Sequence, residues 1–248
     1  MIREAAHGEV SSNDKQVHAR SDDAMNPEWM GVEPPFSDRA DAGRMLARQL
    51  GDYAGRSDVI VLALPRGGVP VGYEVAQALG VPLDVLVVRK LGVPYHPELA
   101  MGAIASGGAL YLDELTVRMA GVTQPEVAAV LNDERHELAR RETLYRGQRP
   151  PLKLEGRTVI VVDDGIATGS SMRVAIAALR VGKPARIVIA VPVVPESTEQ
   201  RLAGVADEFV CLHSAPDFQG VSQFYREFGQ TSDAEVRALL ERSQQDML

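Results

Sequence analysis

The chain has 248 residues, 45% of them hydrophobic, with a formal net charge of -8 and a pI near 5.2. These values are ordinary for a globular protein, and the acidic balance disfavours a nucleic-acid-binding surface, which requires a basic face. The single cysteine, Cys211, excludes an intramolecular disulfide, and no apolar run reaches the ~18 residues expected of a membrane-spanning helix.

The N-terminal stretch is polar and shows no periodicity. We predict a disordered tail over residues 1–34 and a folded domain over 35–248; the alternative is that the native chain begins at Met25 or Met30. Because the stretch lacks the apolar segment of a signal peptide, we expect a cytoplasmic protein without a membrane partner.

A first helix is predicted from a cap at Ser37 to about Tyr53, and from residue 58 onward apolar runs alternate with helical patterns. The predicted strands are 59–64, 81–90, 158–162, 186–194 and 208–212. The later predicted helices are 69–79, 123–145 with a Thr123–Glu126 capping box, 169–181, 196–203 and 232–244. Continuous apolar strands alternating with helices predict an α/β fold, with a mostly parallel central sheet flanked by helices.

Two stretches do not fit this alternation. Residues 91–108 are rich in Gly and Pro, and we predict an irregular, functional loop there, with a short hairpin around Gly107 and Gly108 as an option. Residues 214–230 are irregular and hold four of the eleven Phe and Tyr residues. We expect these four to form a small hydrophobic core more readily than a stacking platform for a base; they are Phe218, Phe224, Tyr225 and Phe228.

The strand at 158–162 is followed directly by a cluster of polar and small residues. Asp163 and Asp164 come first and are suited to accept hydrogen bonds from sugar hydroxyls. Thr168–Ser171 then stand where a helix begins, and unpaired backbone amides at a helix N-terminus bind phosphate. This stretch therefore predicts a site for a sugar phosphate.

Two other strand ends carry cations: Arg66, in the turn Pro-Arg-Gly-Gly, and the pair Arg89 and Lys90. Each has an ordinary explanation alone, as a turn or a solvated strand end. Because ligands of parallel sheets bind beyond the carboxyl ends of the strands, we expect these cations near the acidic pair, where they would bind several phosphates. The chain lacks a Walker motif and a GxGxxG after the first strand, which disfavours nucleotide triphosphatases and nicotinamide enzymes.

The sequence VIVVDDGIATGSS resembles the phosphoribosyl pyrophosphate (PRPP) motif of type I phosphoribosyltransferases. LPRGGVPVGYEVAQALGVPLDVLVVRK is similar to a segment of adenine phosphoribosyltransferases. The stretch from Arg39 to about Leu239, including FYREFGQTSDAEV, resembles bacterial proteins known only as predicted phosphoribosyltransferases. The resemblance implies the type I fold, with a small hood at about 214–230 and a mobile loop at about 91–108.

The resemblance also implies roles for particular residues. Asp163 and Asp164 would bind the ribose hydroxyls, and with Arg89 and Lys90 they are the predicted catalytic residues. The 5′-phosphate would be bound by Ala167, Thr168, Gly169, Ser170 and Ser171. Pyrophosphate would be bound by Arg66, Gly67, Arg89 and Lys90, in a loop with a cis peptide at Arg66 or Gly67. Mg²⁺ is the expected cofactor, held through pyrophosphate, ribose and water and not by protein ligands.

Further expectations concern the acceptor. Enzymes of the family that act on 6-oxopurines have an acid at the position of Ala167, so a role in hypoxanthine or guanine salvage is disfavoured. Glu98, in the predicted mobile loop, is a candidate acid-base group, and a surface carboxylate is the alternative. The mobile loop would exclude water from the reaction, and the hood would select the base.

The resemblance thus predicts an enzyme that transfers ribose 5-phosphate from PRPP to a nitrogenous acceptor and releases pyrophosphate. A homodimer is expected. The alternative is a non-catalytic regulatory protein that binds PRPP or a nucleotide. A hydrolase or kinase using the same sugar-phosphate site lacks an evident nucleophile.

Overall fold

The computed structural model describes residues 34–147 and 149–246, so the predicted disordered tail lies outside the described residues except for Pro34. The strands are β1 (Val59–Ala63), β2 (Leu83–Val85), β3 (Val88–Val93), β4 (His96–Ala105), β5 (Ala109–Leu112), β6 (Thr158–Val162), β7 (Arg186–Pro195) and β8 (Glu208–Ala215). The helices are α1 (Arg39–Gln49), α2 (Gly68–Leu79), α3 (Glu114–Met119), α4 (Gln124–Arg146), α5 (Ser170–Val181), α6 (Glu196–Leu202) and α7 (Asp233–Gln245). Single 3₁₀ turns occur at Gly51–Tyr53 and Val221–Phe224.

The central sheet is parallel, with strand order β2-β1-β6-β7-β8. Every residue of β1 and β6 is buried, because helices cover both faces of the sheet. Alternate residues of each strand contribute to two separate core clusters: Val61 and Ile160 pack with α1, α2, α4 and α7, and Leu62 and Val161 pack with α5 and α6. The predicted α/β fold with a parallel central sheet flanked by helices is confirmed.

The single strand predicted for residues 81–90 is wrong, because the chain leaves the central sheet after Val85. It continues as β3 of a second sheet, which is antiparallel and has the order β3-β4-β5. This second sheet lies between α4 and α5. Arg89 and Lys90 therefore lie in the second sheet, not at the end of a central strand.

Residues 91–108 are not the irregular loop that their glycines and prolines predicted. They form most of the β3–β4 hairpin, and the option of a turn at Gly107 and Gly108, between β4 and β5, is confirmed. The glycines serve close strand pairing: a Cβ at Gly92 would lie 2.8 Å from the Pro97 carbonyl oxygen, and one at Gly102 would lie 2.3 Å from that of Tyr111. Both glycines allow strand contacts that a side chain would block.

Most of the predicted helix ends agree with the structure. Gly80 ends α2 in the left-handed conformation, and Ser232 caps α7 by accepting from the Glu235 amide. The predicted cap at Ser37 is wrong: Asp38 caps α1, and its Oδ1 accepts from the Asp41 amide at 2.7 Å. Within the described ranges, the helices lack the combination of length and apolar character that a bilayer crossing requires.

Candidate functional site

The candidate site lies at the carboxyl ends of β1 and β6, which are held together by a hydrogen bond from the Leu64 amide to the Val162 carbonyl oxygen at 2.9 Å. The turn after β1 packs directly on the acidic pair after β6. A Cβ at Gly67 would lie 2.0 Å from Asp164 Oδ2, and one at Gly68 would lie 2.8 Å from the Val162 oxygen. These glycines are required by the close approach of the two strand ends. The peptide bond between Pro65 and Arg66 is cis, as the resemblance implied.

Asp163 and Asp164 form a partly buried acidic pair. The Asp164 amide donates to Asp163 Oδ1 at 2.9 Å. Burial raises the pKa of Asp163 well above its ordinary value, and the nearby Asp164 carboxylate adds to this shift. Burial also raises the pKa of Asp164, although the hydrogen bond from Arg39 opposes that effect. The pair thus has the properties of a polar site that is poorly solvated and adapted to bound hydroxyl donors.

The predicted phosphate loop, residues 167–171, has free backbone donors. The amides of Ala167, Thr168, Gly169 and Ser171 make no hydrogen bond with any described residue, and Ser170 N donates only weakly to Thr168 Oγ1 at 3.4 Å. Gly169 adopts a φ of 75° immediately before α5, which turns the loop around the helix N-terminus. Free amides at this end of a helix form an anion-binding arrangement.

The phosphate loop is held from beneath by α6, which the sequence did not indicate. Thr198, with 0% of its surface exposed, donates from Oγ1 to the Ala167 carbonyl oxygen at 2.8 Å. Its hydroxyl also accepts from Arg201 Nη2 at 2.6 Å. Because the threonine methyl also lies 3.0 Å from the position of a Cβ at Gly169, this side chain determines the backbone path of the loop.

The predicted pyrophosphate cations are not all equally available. Arg66 lies 3.8 Å from Asp233 at the start of α7, and Arg89 Nε lies 2.6 Å from Glu134 Oε2 on α4. Adjacent strand residues point to opposite faces, so Lys90 lies on the face of β3 opposite to Arg89. Within the described residues Lys90 makes no hydrogen bond or ion pair.

Glu134, on the charged surface of α4, binds Arg89. Glu98, the candidate acid-base residue, is exposed on the β3–β4 hairpin and makes no hydrogen bond or ion pair within the described part of the chain. Its assignment to the reaction therefore stays a prediction.

Arg39 at the start of α1 is the principal residue that the sequence reasoning missed. Its Nε donates to Asp164 Oδ2 at 2.8 Å, its Nη1 donates to the Gly229 carbonyl oxygen at 2.7 Å, and its guanidinium lies 3.9 Å from the centre of the Phe228 ring. The only signal was its position at the start of the stretch that resembles a known family, since 125 residues separate it from Asp164.

The aromatic residues of the predicted hood pack together, as expected. Phe218 stacks on Phe224 with ring centres 5.7 Å apart, and Tyr225 lies 5.0 Å from Phe228 and 5.3 Å from Phe36. In addition, Tyr225 donates from Oη to the Asp164 carbonyl oxygen at 2.5 Å. The hood aromatics therefore support the acidic pair directly.

A cavity of about 400 Å³ opens beside the acidic pair. Its walls come from α1, the turn after β1, the end of β6 and the segment that precedes α7. The lining residues are Arg39, Arg66, Gly67, Asp164, Phe228, Gly229, Gln230 and Thr231. The structure thus brings the predicted ribose carboxylate and one predicted pyrophosphate cation to the same cavity.

The model of the phosphoribosyl transferase domain family matches residues 37–227, which include the turn after β1, the acidic pair and the phosphate loop. The chain belongs to the phosphoribosyl transferase family. Two curated Mycobacterium tuberculosis proteins, each named "Putative phosphoribosyl transferase", are 48% identical over 211 residues, which is 85% of this chain and 47% of theirs. The chain therefore spans about half the length of these relatives.

Among solved structures, the crystal structure of the protein TT1426 from Thermus thermophilus superposes with a TM-score of 0.76 at 41% identity. The match covers 84% of this chain and 98% of that one. The α/β fold with a parallel central sheet is thus shared with a solved structure. Residues 228–233, which contact Arg39 and Arg66, lie beyond the residues that the family model matches.

Proposed function

We propose that this chain binds PRPP with Mg²⁺ and transfers its ribose 5-phosphate to a nitrogenous acceptor, releasing pyrophosphate. The observation that supports this most strongly is the sequence of groups along one strand end. The partly buried carboxylates Asp163 and Asp164 are followed within a few residues by the free amides of the phosphate loop, residues 167–171. Acceptors for sugar hydroxyls and donors for a phosphate thus follow one another at the same strand end.

Each group has a distinct part in the proposed reaction. The loop amides and the hydroxyls of Thr168, Ser170 and Ser171 fix the 5′-phosphate, and the acidic pair accepts hydrogen bonds from the ribose hydroxyls. The C1–O bond of PRPP breaks with its electron pair going to pyrophosphate. The acceptor nitrogen then forms the C1–N bond and loses a proton. Catalysis is positioning together with stabilisation of charge on the leaving group.

Pyrophosphate carries more charge than the loop amides neutralise. The cations proposed for it are Arg66 and one of Arg89 and Lys90, which lie on opposite faces of β3. Mg²⁺ would add positive charge at the pyrophosphate when bound. The described residues contain no cluster of three or more carboxylate, histidine or cysteine side chains able to hold a metal. We assign the ion to the phosphates, ribose and water, in keeping with the tendency of Mg²⁺ to bind with substrate phosphates.

The test is to incubate the protein with PRPP, Mg²⁺ and a panel of nitrogenous bases while measuring pyrophosphate release, together with calorimetric binding of PRPP. Binding and base-dependent release support the transferase. Tight binding without release for any base supports the regulatory alternative instead. Absence of PRPP binding refutes the transferase and leaves the regulatory alternative only with a nucleotide as its ligand.

Asp163→Asn and Asp164→Asn provide the matched variants for the ribose assignment. Each replaces a charged acceptor by an amide of nearly equal size, and we expect the PRPP affinity to fall about tenfold or more, because hydrogen bonds to charged groups contribute ~1.5–3 kcal/mol. Asp52→Asn, on the exposed 3₁₀ turn after α1, is the control and should leave affinity unchanged. Unchanged affinity in both site variants contradicts the ribose assignment.

A further inference from the structure

Arg39 combines three contacts that converge on the acidic pair. It forms an ion pair with Asp164 at 2.8 Å, donates to the main chain at Gly229 and lies against the ring of Phe228. Only 12% of the arginine side chain and 14% of the aspartate side chain are exposed. A buried ion pair with additional hydrogen bonds has a fixed geometry, unlike a pair on the surface.

The charges around Asp164 come from few elements. Asp163 adjoins it on the same strand end, and Tyr225 from the hood donates to its main-chain oxygen. Arg66, in the turn after β1, lines the same cavity but pairs with Asp233. Among the described residues, Arg39 alone forms an ion pair with either member of the acidic pair.

Phe228 contacts Arg39 and Tyr225 and therefore supports the Arg39 side chain. The Arg39 guanidinium lies 3.9 Å from its ring centre, and the Tyr225 ring lies 5.0 Å from it. Stacking of a guanidinium on an aromatic ring favours one orientation of the arginine. The orientation of Arg39 is thus set by the hood, and the orientation of the Asp164 carboxylate is set by Arg39.

We propose that Arg39 is a positioning residue that acts through Asp164, holding this carboxylate in a fixed orientation as an ionised acceptor for a ribose hydroxyl. The proposal rests on the proposed function for the identity of the ligand. The contact between Arg39 and Asp164 does not depend on that function. The contact is made by a single oxygen of the carboxylate, Oδ2, which accepts from Arg39 Nε.

Arg39 is expected to keep Asp164 ionised because the pair of Asp163 and Asp164 is poorly solvated. Two partly buried carboxylates in contact disfavour simultaneous ionisation, and the nearby cation offsets this. Without Arg39, a proton would bind to the pair at a higher pH, and a protonated carboxyl presents a donor where the ribose hydroxyl needs an acceptor. PRPP affinity would then be lost as the pH falls through the raised pKa of Asp164 and regained above it.

The experiment compares wild type, Arg39→Gln and Arg39→Lys, with Arg44→Gln as the matched control. Arg44 also lies on α1 but its side chain is 52% exposed and pairs only with Asp41 and Glu74 among the described residues. The pKa of Asp164 is measured in the ligand-free proteins by carboxyl carbon-13 NMR, assigned with Asp164→Asn. PRPP affinity with Mg²⁺ is measured by calorimetry between about pH 6 and 9, a range that begins near the second phosphate pKa of about 6.

We expect Arg39→Gln to raise the pKa of Asp164 by about one unit or more. PRPP affinity should fall most at the acidic end of the pH range, with most of the loss recovered at about pH 9. Arg39→Lys should retain most of the affinity and Arg44→Gln all of it. PRPP phosphates, whose second pKa is about 6, titrate alike with every variant. An equal loss of affinity at every pH, or an unchanged pKa of Asp164, would overturn the proposal.

Two further measurements test the proposal if Arg39→Gln does not fold or if wild type binds no PRPP. If Arg39→Gln does not fold, Phe228→Leu removes the ring beneath the guanidinium without removing a charge, and a smaller pKa increase in the same direction is expected. An unchanged pKa in that variant would count against the proposal. If wild type binds no PRPP, the proposed function fails, and the NMR titration still decides whether Arg39 controls the ionisation of Asp164.

Discussion

Gly67→Ala tests the contact between the turn after β1 and the acidic pair. The added Cβ would lie 2.0 Å from Asp164 Oδ2 and 2.6 Å from Asp164 Cγ, whereas real Cβ contacts essentially never fall below 3.0 Å. The carboxylate or the turn must therefore move by at least about 1 Å. Because Asp164 Oδ2 is also the oxygen that accepts from Arg39 Nε, its displacement would break the ion pair.

A displacement of about 1 Å at a reacting group costs about 100-fold in rate. We expect Gly67→Ala to lower pyrophosphate release by about that factor and PRPP affinity by about tenfold, as measured by enzyme assay and calorimetry. Gly51→Ala is the control for glycine replacement, since its Cβ would have no atom within 4 Å. Near wild-type activity and affinity in a folded Gly67→Ala protein would refute the reasoning that this contact fixes Asp164.

Two other substitutions test the opposite ends of the site. Thr198→Val removes the hydrogen bond to the Ala167 oxygen at almost constant volume. We expect the unfolding free energy, measured by urea titration, to fall by ~1–3 kcal/mol and ribose 5-phosphate to bind more weakly. Unchanged ribose 5-phosphate affinity would contradict the role of α6. Lys90→Ala should lower the affinities for pyrophosphate and PRPP ~10–100-fold while sparing a nucleoside monophosphate. Lys153→Ala, at an exposed position before β6, is its control, and equal losses for all three ligands would contradict a place for Lys90 at the pyrophosphate.

The central sheet was predictable because its signals are local. The apolar runs that became β1 and β6 are continuous, and a strand buried on both faces allows no polar alternation. The acidic pair and the phosphate loop followed from their place directly after β6. The second sheet was missed because Gly92 and Gly102, read as loop residues, instead permit strands to approach closely.

The contacts that complete the site were not predictable from local pattern. Arg39 and Asp164 are 125 positions apart, and Thr198 and Ala167 are 31 apart. Nothing in the sequence around Arg39 distinguishes it from an arginine in the first turn of any surface helix. Its role arises only because α1 packs beside the carboxyl end of β6, where the hood closes over its guanidinium.

The arginines around the site differ in how readily they can exchange partners. Arg66 and Asp233 have side chains that are 40% and 43% exposed and lie 3.8 Å apart, and such a pair contributes ~0–1 kcal/mol. Arg89 and Glu134 are less exposed, but both retain access to solvent. Pyrophosphate, with its higher charge, can therefore displace Asp233 from Arg66 at little cost in free energy. Displacing Glu134 from Arg89 costs more free energy. The pair of Arg39 and Asp164 is different, since only 12% and 14% of the two side chains are exposed and separating them leaves a poorly solvated charge without its partner. We therefore expect ligand binding to redistribute the outer cations while Arg39 keeps its partner, so that the ribose end of the site is preformed and the pyrophosphate end is assembled on binding.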